Sequence, residues 1–210
     1  MTRLWLLQQS PDGLATYFGL AERTARHSLV LNQAEALAGT RVGKPRVVPR
    51  LGIDADLDLD FFEDGLTFAS ARLLDAMALP VDAVEIGEVD ATACVASVRR
   101  KRYRTLALKV RGDAIDKERS EGGVVAWTDR TGQARSEWKL RAPGPNRPAP
   151  RVLWRTDFLP PADLFLVDGT SWRAATDDLA ARVTAAGATG LDFIDPIASA
   201  ATGDLVSRPR

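Results

Sequence analysis

Between Asp54 and Phe62 the chain reads Asp-Ala-Asp-Leu-Asp-Leu-Asp-Phe-Phe, an alternation of acidic and apolar residues. Successive side chains of a strand point to opposite faces, so a period of two marks a strand and excludes a helix there. The pattern predicts a half-buried strand with Leu57, Leu59 and Phe61 turned inward. Asp56, Asp58 and Asp60 would then form an acidic outer face, extended by Glu63 and Asp64. A chain with such a segment must build at least one sheet with a covered side.

Other segments agree with a sheet-rich fold. Leu4-Trp5-Leu6-Leu7 is a short buried strand closed by Pro11-Asp12-Gly13. Residues 14–37, rich in Ala, Leu and Glu, suggest a helix, and Gly39–Gly52 a loop. Leu66-Thr67-Phe68 reads as a strand and Ser70 as the cap of a helix carrying Leu73, Leu74 and Met77, stopped by Pro80. Strands are expected over 81–89, from Val95 to Val98, and over 103–110. A hairpin joins Val124-Val125-Ala126-Trp127 to Trp138-Lys139-Leu140 through Asp129–Gly132. Ala142–Pro150, with four prolines and a glycine, is an extended connection. Leu164–Val167 is a buried strand and Asp168-Gly169 a turn. Thr170 or Ser171 would then cap a long helix carrying Trp172, Ala175, Leu179, Val183 and Ala186, ended by a left-handed Gly187. Leu191–Ile194 closes the pattern as a strand before Asp195-Pro196. Residues 66–89 and 164–197 share the order strand, capped helix, strand, an echo without a persisting residue pattern.

The expected class is α+β, with a mixed or mainly antiparallel sheet and two main helices packed on it. Residues 1–55 form an N-terminal segment resting on a main domain over 56–197, and 198–210 a flexible tail.

Composition removes several functions. The 28 basic and 28 acidic residues cancel, so nothing draws the whole molecule to nucleic acid or an anionic membrane. Cys94 is the single cysteine and His27 the single histidine, so a Cys/His zinc site, a histidine-based triad or a His-Cys dyad would need more than this chain can easily supply. Cys94 sits in Ala93-Cys94-Val95-Ala96 and reads as a buried, inert thiol. Leu4–Leu7 is too short for a signal peptide, and no apolar run reaches membrane-spanning length, so a cytoplasmic location is expected.

No motif for catalysis, a cofactor or a metal stands out. Gly122-Gly123 precedes a strand, away from any strand-to-helix junction, which argues against a phosphate cradle. Asp54 to Asp60 lacks the central glycine and distal glutamate of a calcium loop. Arg99-Arg100-Lys101-Arg102-Tyr103-Arg104 could grip phosphates or an acidic protein, or serve as a solvated turn or charged edge strand. Trp5, Trp127, Trp138, Trp154 and Trp172 lie in apolar stretches and are expected mostly in the core, with room for one to line a recognition surface. The acidic stripe is either a plain solvent face or a surface for a basic partner.

Three segments carry a family resemblance. They are residues 66–76 with the strand to Val89; residues 103–110 running on to Ala114-Ile115-Asp116 and Glu118-Arg119-Ser120; and Leu164–Val167 with its helix and the closing Gly187-Ala188-Thr189-Gly190-Leu191-Asp192-Phe193. In this order they resemble immunity family eleven of the bacterial polymorphic toxin systems, over about half the chain. The resemblance implies an antidote that binds a cognate toxin domain and blocks its active site. It supplies no catalytic residues, cofactor or metal. Under that reading Asp56, Asp58, Asp60, Glu63 and Asp64 are the candidate partner-binding residues. The rivals are a small enzyme with a concealed carboxylate site and a nucleic-acid-binding regulator using Arg99 to Arg104.

Overall fold

The computed structural model describes residues 3–10, 19–20, 51–52, 59–63, 66–92, 94–128, 132–141 and 151–195. Within them the chain is α+β. In order come β1 (Leu4–Gln9), β2 (Gly19–Leu20), β3 (Leu51–Gly52), β4 (Phe61–Glu63), β5 (Thr67–Ala69), α1 (Ala71–Met77) and β6 (Val84–Gly87). Then follow α2 (Ala96–Lys101), β7 (Arg104–Leu108), β8 (Arg111–Gly112), β9 (Gly122–Thr128) and β10 (Ala134–Leu140). The last are β11 (Leu164–Val167), β12 (Arg173–Thr176), α3 (Asp177–Ala185) and β13 (Leu191–Ile194). The expected loop over 142–150 and the tail expected over 198–210 lie outside the described residues.

Two sheets carry the architecture. One has the order β13-β1-β12-β11-β8, antiparallel except for the parallel β8–β11 pair; the other is antiparallel in the order β4-β5-β7-β6. β9 and β10 form a separate two-stranded ribbon, and β2 pairs with β3. The main core draws Trp5 and Leu7 from β1, Phe61 from β4, Leu73 and Met77 from α1, Leu106 from β7, and Leu179 and Val183 from α3. Both sheets therefore share one core, with α1 and α3 in contact. Leu4 on the opposite face of β1 joins a second cluster with Ile115, Val152 and Phe165. A strand apolar on both faces belongs inside a sheet, which is why Leu4–Leu7 is continuous rather than alternating. β1 thus lies between β13 and β12, and residues 4–9 belong to the main domain.

The echo of strand, capped helix and strand is a topological repeat. β5 and β6 both run antiparallel to β7, so they are parallel to each other with one strand between them, joined through α1. β12 and β13 stand in the same relation to β1 and are joined through α3. Each split β-α-β unit is preceded by a hairpin partner, β4 or β11. The sheet orders β4-β5-β7-β6 and β11-β12-β1-β13 then coincide. In the first half the inserted strand follows in sequence; in the second it comes from the amino terminus.

The wiring repeats as well. Ser70 caps α1 by accepting from Leu73 N, and Thr176 caps α3 by accepting from Leu179 N. Ser70 N donates to the Asp60 carbonyl at 2.7 Å and Thr176 N to the Asp163 carbonyl at 2.9 Å. Ser70 Oγ donates to Asp60 Oδ1 at 2.7 Å and Thr176 Oγ1 to Asp163 Oδ1 at 3.0 Å. Each aspartate also binds an arginine, Arg72 or Arg182, and each arginine reaches a carbonyl at the end of the other helix, Gly187 O or Met77 O.

Several expectations need correction. Residues 96–101 form a helix, not a strand: Val98 is its one buried side chain, and Cys94 and Val98 lie at the i, i+4 spacing of a helix face. The stretch 173–176 is a strand, because pairing with β1 and β11 buries Ala174 and Ala175 and overrides alanine's helical preference. The hydroxyl of Thr170 is engaged in the β11–β12 turn, so the α3 cap moves to Thr176. Gly187 does leave α3 in the left-handed region, at φ 62°. The helix expected over 14–37 is interrupted at Gly19–Leu20, which pairs with Leu51–Gly52, itself expected as loop; the remainder of both segments lies outside the described residues.

Candidate functional site

Asp60 does not face solvent. It is fully buried, and its carboxylate accepts from Ser70 Oγ, from Arg72, and from Thr189 N at 3.1 Å and Thr189 Oγ1 at 3.2 Å, with Lys101 Nζ at 3.4 Å. Burial alone would push its pKa up. The bonds from Arg72, Ser70 and Thr189 and the charge of Lys101 outweigh that and lower it to about 2. Its backbone N and that of Phe61 donate to Thr189 O at 3.0 and 3.1 Å. The β4 strand begins only at Phe61, so Asp60 precedes the strand and is not one of its alternating positions.

Glu63 is also occupied internally. It pairs with Arg173 of β12 at 2.5 Å and accepts from Thr67 Oγ1 at 3.1 Å, tying the two sheets together. Asp56, Asp58 and Asp64 lie outside the described residues. The structure therefore brings Asp60 and Glu63 into the joint between the halves, and neither offers a free carboxylate to a partner. The closing motif belongs to the same joint. Thr189 binds Asp60, and at Gly190 (φ 85°) an added Cβ would run into the Phe61 carbonyl.

The basic run occupies the end of α2 and the start of β7. Arg99, Arg100 and Lys101 form the last turn of α2, Arg102 caps it with a left-handed φ of 49°, and Arg104 opens β7. Lys101 turns inward to Asp60, and Tyr103 is buried and donates to Leu59 O. The side chains of Arg99, Arg100, Arg102 and Arg104 point to solvent and have no acceptor among the described residues.

A carboxylate site would most plainly show as a deep pocket holding two or three acids with shifted ionisation. An open hollow of about 580 Å³ does gather Asp163, Asp177 and Asp178 with Arg3, Pro160, Ala162 and Thr176. Arg182 holds Asp163 below its usual range despite partial burial, so it stays ionised at neutral pH and is a poor proton donor. Asp177 accepts from Trp5 Nε1 at 2.8 Å. Both Asp177 and Asp178 sit in the first turn of α3, where the helix dipole favours them. Among the described residues no group of three or more His, Cys, Asp or Glu could hold a metal ion.

Sequence reading missed the exposed ribbon as a surface. The register pairs Thr128 with Ala134, Ala126 with Ser136, Val124 with Trp138 and Gly122 with Leu140 on one face, which carries no charge. The other face pairs Trp127 with Arg135, Val125 with Glu137 and Gly123 with Lys139. Every residue of β9 is exposed, with Val124 at 72%, Val125 at 46% and Trp127 at 41%. The base is fixed: Trp138 lies against Gly122 and Gly169, Arg141 N donates to Glu121 O at 2.9 Å, and Leu140 N to Gly169 O at 3.2 Å. The available signal was β10 itself, where Arg135, Glu137 and Lys139 alternate with Ser136 and Trp138 while β9 has no charge. Of the five tryptophans only Trp5 is fully in the core; Trp127 is exposed and the other three are half-buried.

No family model matches the chain, and a search of curated proteins found no relative. Among the described residues no helix is long and apolar enough to cross a membrane.

Proposed function

We propose that this chain is an immunity protein that binds a cognate bacterial toxin domain and neutralises it by occluding its active site. The supporting observation is the β9–β10 ribbon. It is fixed at its base, exposed on both faces, and holds Val124, Val125 and Trp127 in water. Exposed apolar groups clustered on one element mark an interaction surface, and tryptophan is a typical anchor of binding energy. The uncharged face suits a protein surface better than a phosphate backbone. Asp56, Asp58 and Asp64 remain proposed contacts to a basic toxin, and Asp60 and Glu63, both engaged within the fold, are withdrawn from that role.

Capture with the tagged full-length chain from its native host, followed by mass spectrometry, tests the reading. A stoichiometric protein bearing a toxin domain, lost when Trp127→Ala and Val124→Glu are combined, supports it. Retention of nothing at low salt removes it.

Arg99, Arg100, Arg102 and Arg104, which have no acceptor among the described residues, support a second reading, a nucleic-acid contact through this basic run. A salt-dependent gel shift that disappears in Arg99→Glu/Arg102→Glu would favour it; no shift at low salt would end it.

A further inference from the structure

Strands at the edge of a sheet normally carry protection against pairing with another chain: a lysine, a proline, an inward charge or a bulge. β10 has Arg135, Glu137 and Lys139. β9, Gly-Gly-Val-Val-Ala-Trp-Thr, has none of these over seven residues. Among the described residues its one strand partner is β10, which also sets the Lys139 ammonium 5.4 Å from the centre of the Trp127 ring, and Gly122–Thr128 make no polar contact with any other element. Among the described residues the outer edge of β9 is thus an uncharged row of backbone donors and acceptors with no strand paired to it.

We infer that this edge pairs with the same edge of a second copy of the chain. The two β9 strands run antiparallel about a two-fold axis at Val125, giving a four-stranded sheet β10-β9-β9-β10. The sequence is self-complementary in that register. Val125 meets Val125 of the other copy, Val124 meets Ala126, and Trp127 falls opposite Gly123, with the reciprocal pair on the other side of the axis. Trp127 and Gly123 share a face. The space above Gly123 is empty: an added Cβ there would find nothing within 4 Å. The indole has a vacant glycine to cover, and no like charges oppose each other across the junction. Pairing at the edge leaves both faces of the ribbon exposed, so the uncharged face continues across both copies.

Seven residues at about 3.4 Å each give a contact of about 24 Å, well short of the burial of a standard stable interface. The dimer is therefore a weak one that dissociates on dilution. Sedimentation equilibrium of the full chain from about 10 µM to about 1 mM covers the range expected of so small a contact. The mass should rise from the 22.8 kDa monomer toward the dimer. Val125→Lys, which sets two ammonium groups face to face, should raise the midpoint concentration at least about tenfold. Val81→Lys, at an 86% exposed position outside the ribbon, should leave it unchanged. With Cys94 buried, Val125→Cys should cross-link to a covalent dimer under mild oxidation and Val81→Cys should not. A monomer at every concentration, a dimer that survives Val125→Lys, or equal cross-linking of the two cysteine variants overturns the proposal. None of these results touches the toxin reading, which rests on the ribbon's faces and is tested by capture.

Discussion

Replacing Asp60 by asparagine keeps the shape and removes the charge, so it measures what the buried carboxylate contributes. Its pKa is lowered from the usual 3.8 to about 2 in the folded protein. That displacement corresponds to about 2 kcal/mol of stability at neutral pH. The substitution also leaves Lys101, whose side chain is 17% exposed, facing a neutral amide. Removing one partner of a buried pair costs about 3–5 kcal/mol; Arg72, 53% exposed, can turn to water, so the lower end applies. The expected loss is about 3 kcal/mol, or roughly 6–12 °C in Tm for a chain of this size. Asp163 provides an internal control, because its hydroxyl cap and arginine copy those of Asp60. Its side chain is 39% exposed, so Asp163→Asn should cost no more than about 1 kcal/mol.

The sign of the pH effect follows from the depressed pKa. The stabilisation from Asp60 is fully present above the unfolded-state pKa and is lost as pH falls through the folded one. About 1 kcal/mol of the wild type's advantage over Asp60→Asn should be gone by pH 3. Urea unfolding at pH 7, 5, 4 and 3 reads both effects. Equal costs at Asp60 and Asp163, or a gap between wild type and Asp60→Asn that is constant with pH, would refute the reasoning.

Three further outcomes can be checked by thermal or chemical unfolding. Gly190→Ala should cost more than about 2 kcal/mol, since it combines a left-handed φ with collision against the Phe61 carbonyl, whereas Gly187→Ala, also left-handed but with open space, should cost about 1 kcal/mol. Trp127→Ala on the exposed ribbon should change stability by under about 0.5 kcal/mol, while Leu179→Ala in the shared core should cost about 2–5 kcal/mol. Arg3 and Asp195 pair at 2.7 Å where β1 starts and β13 ends. A circular permutant joining Asp195 to Arg3 through a short turn, opened between Thr40 and Arg41, should therefore fold with a cooperative transition; a permutant without one would contradict the two-half description.

Much of the secondary structure was legible because it rests on local chemistry. Ser70 and Gly187 mark helix ends through bonds and dihedrals within a few residues, Leu4–Leu7 and Leu164–Val167 are short apolar runs of strand length, and Leu191–Ile194 is a short segment bounded by Gly190 and Pro196. The errors fall where tertiary pairing decides. Arg173-Ala-Ala-Thr has a helical composition, yet two flanking strands claim it. Asp60 reads locally as one more member of an acidic stripe, but its ligands come from Ser70, Arg72, Lys101 and Thr189. No window around residue 60 contains the last two.

The topological repeat shows what signal was present. Asp60 directly precedes β4 and Asp163 directly precedes β11; ten and thirteen residues later come the hydroxyl caps Ser70 and Thr176. Neither pair is conspicuous alone, and the differing spacing hides the repeat from any fixed-period comparison. What persists is a physical requirement. A strand entering beside a helix N-terminus needs an acceptor for the capping hydroxyl, and an aspartate there also recruits an arginine. In one half the set was buried and became the joint to the other half, with Thr189 closing it. In the other it stayed at the surface, beside the open hollow. The acidic residue that sequence made the centre of an interface is thus the one most committed to holding the fold. The surface proposed for binding is instead the ribbon, whose two strands pair with neither of the larger sheets.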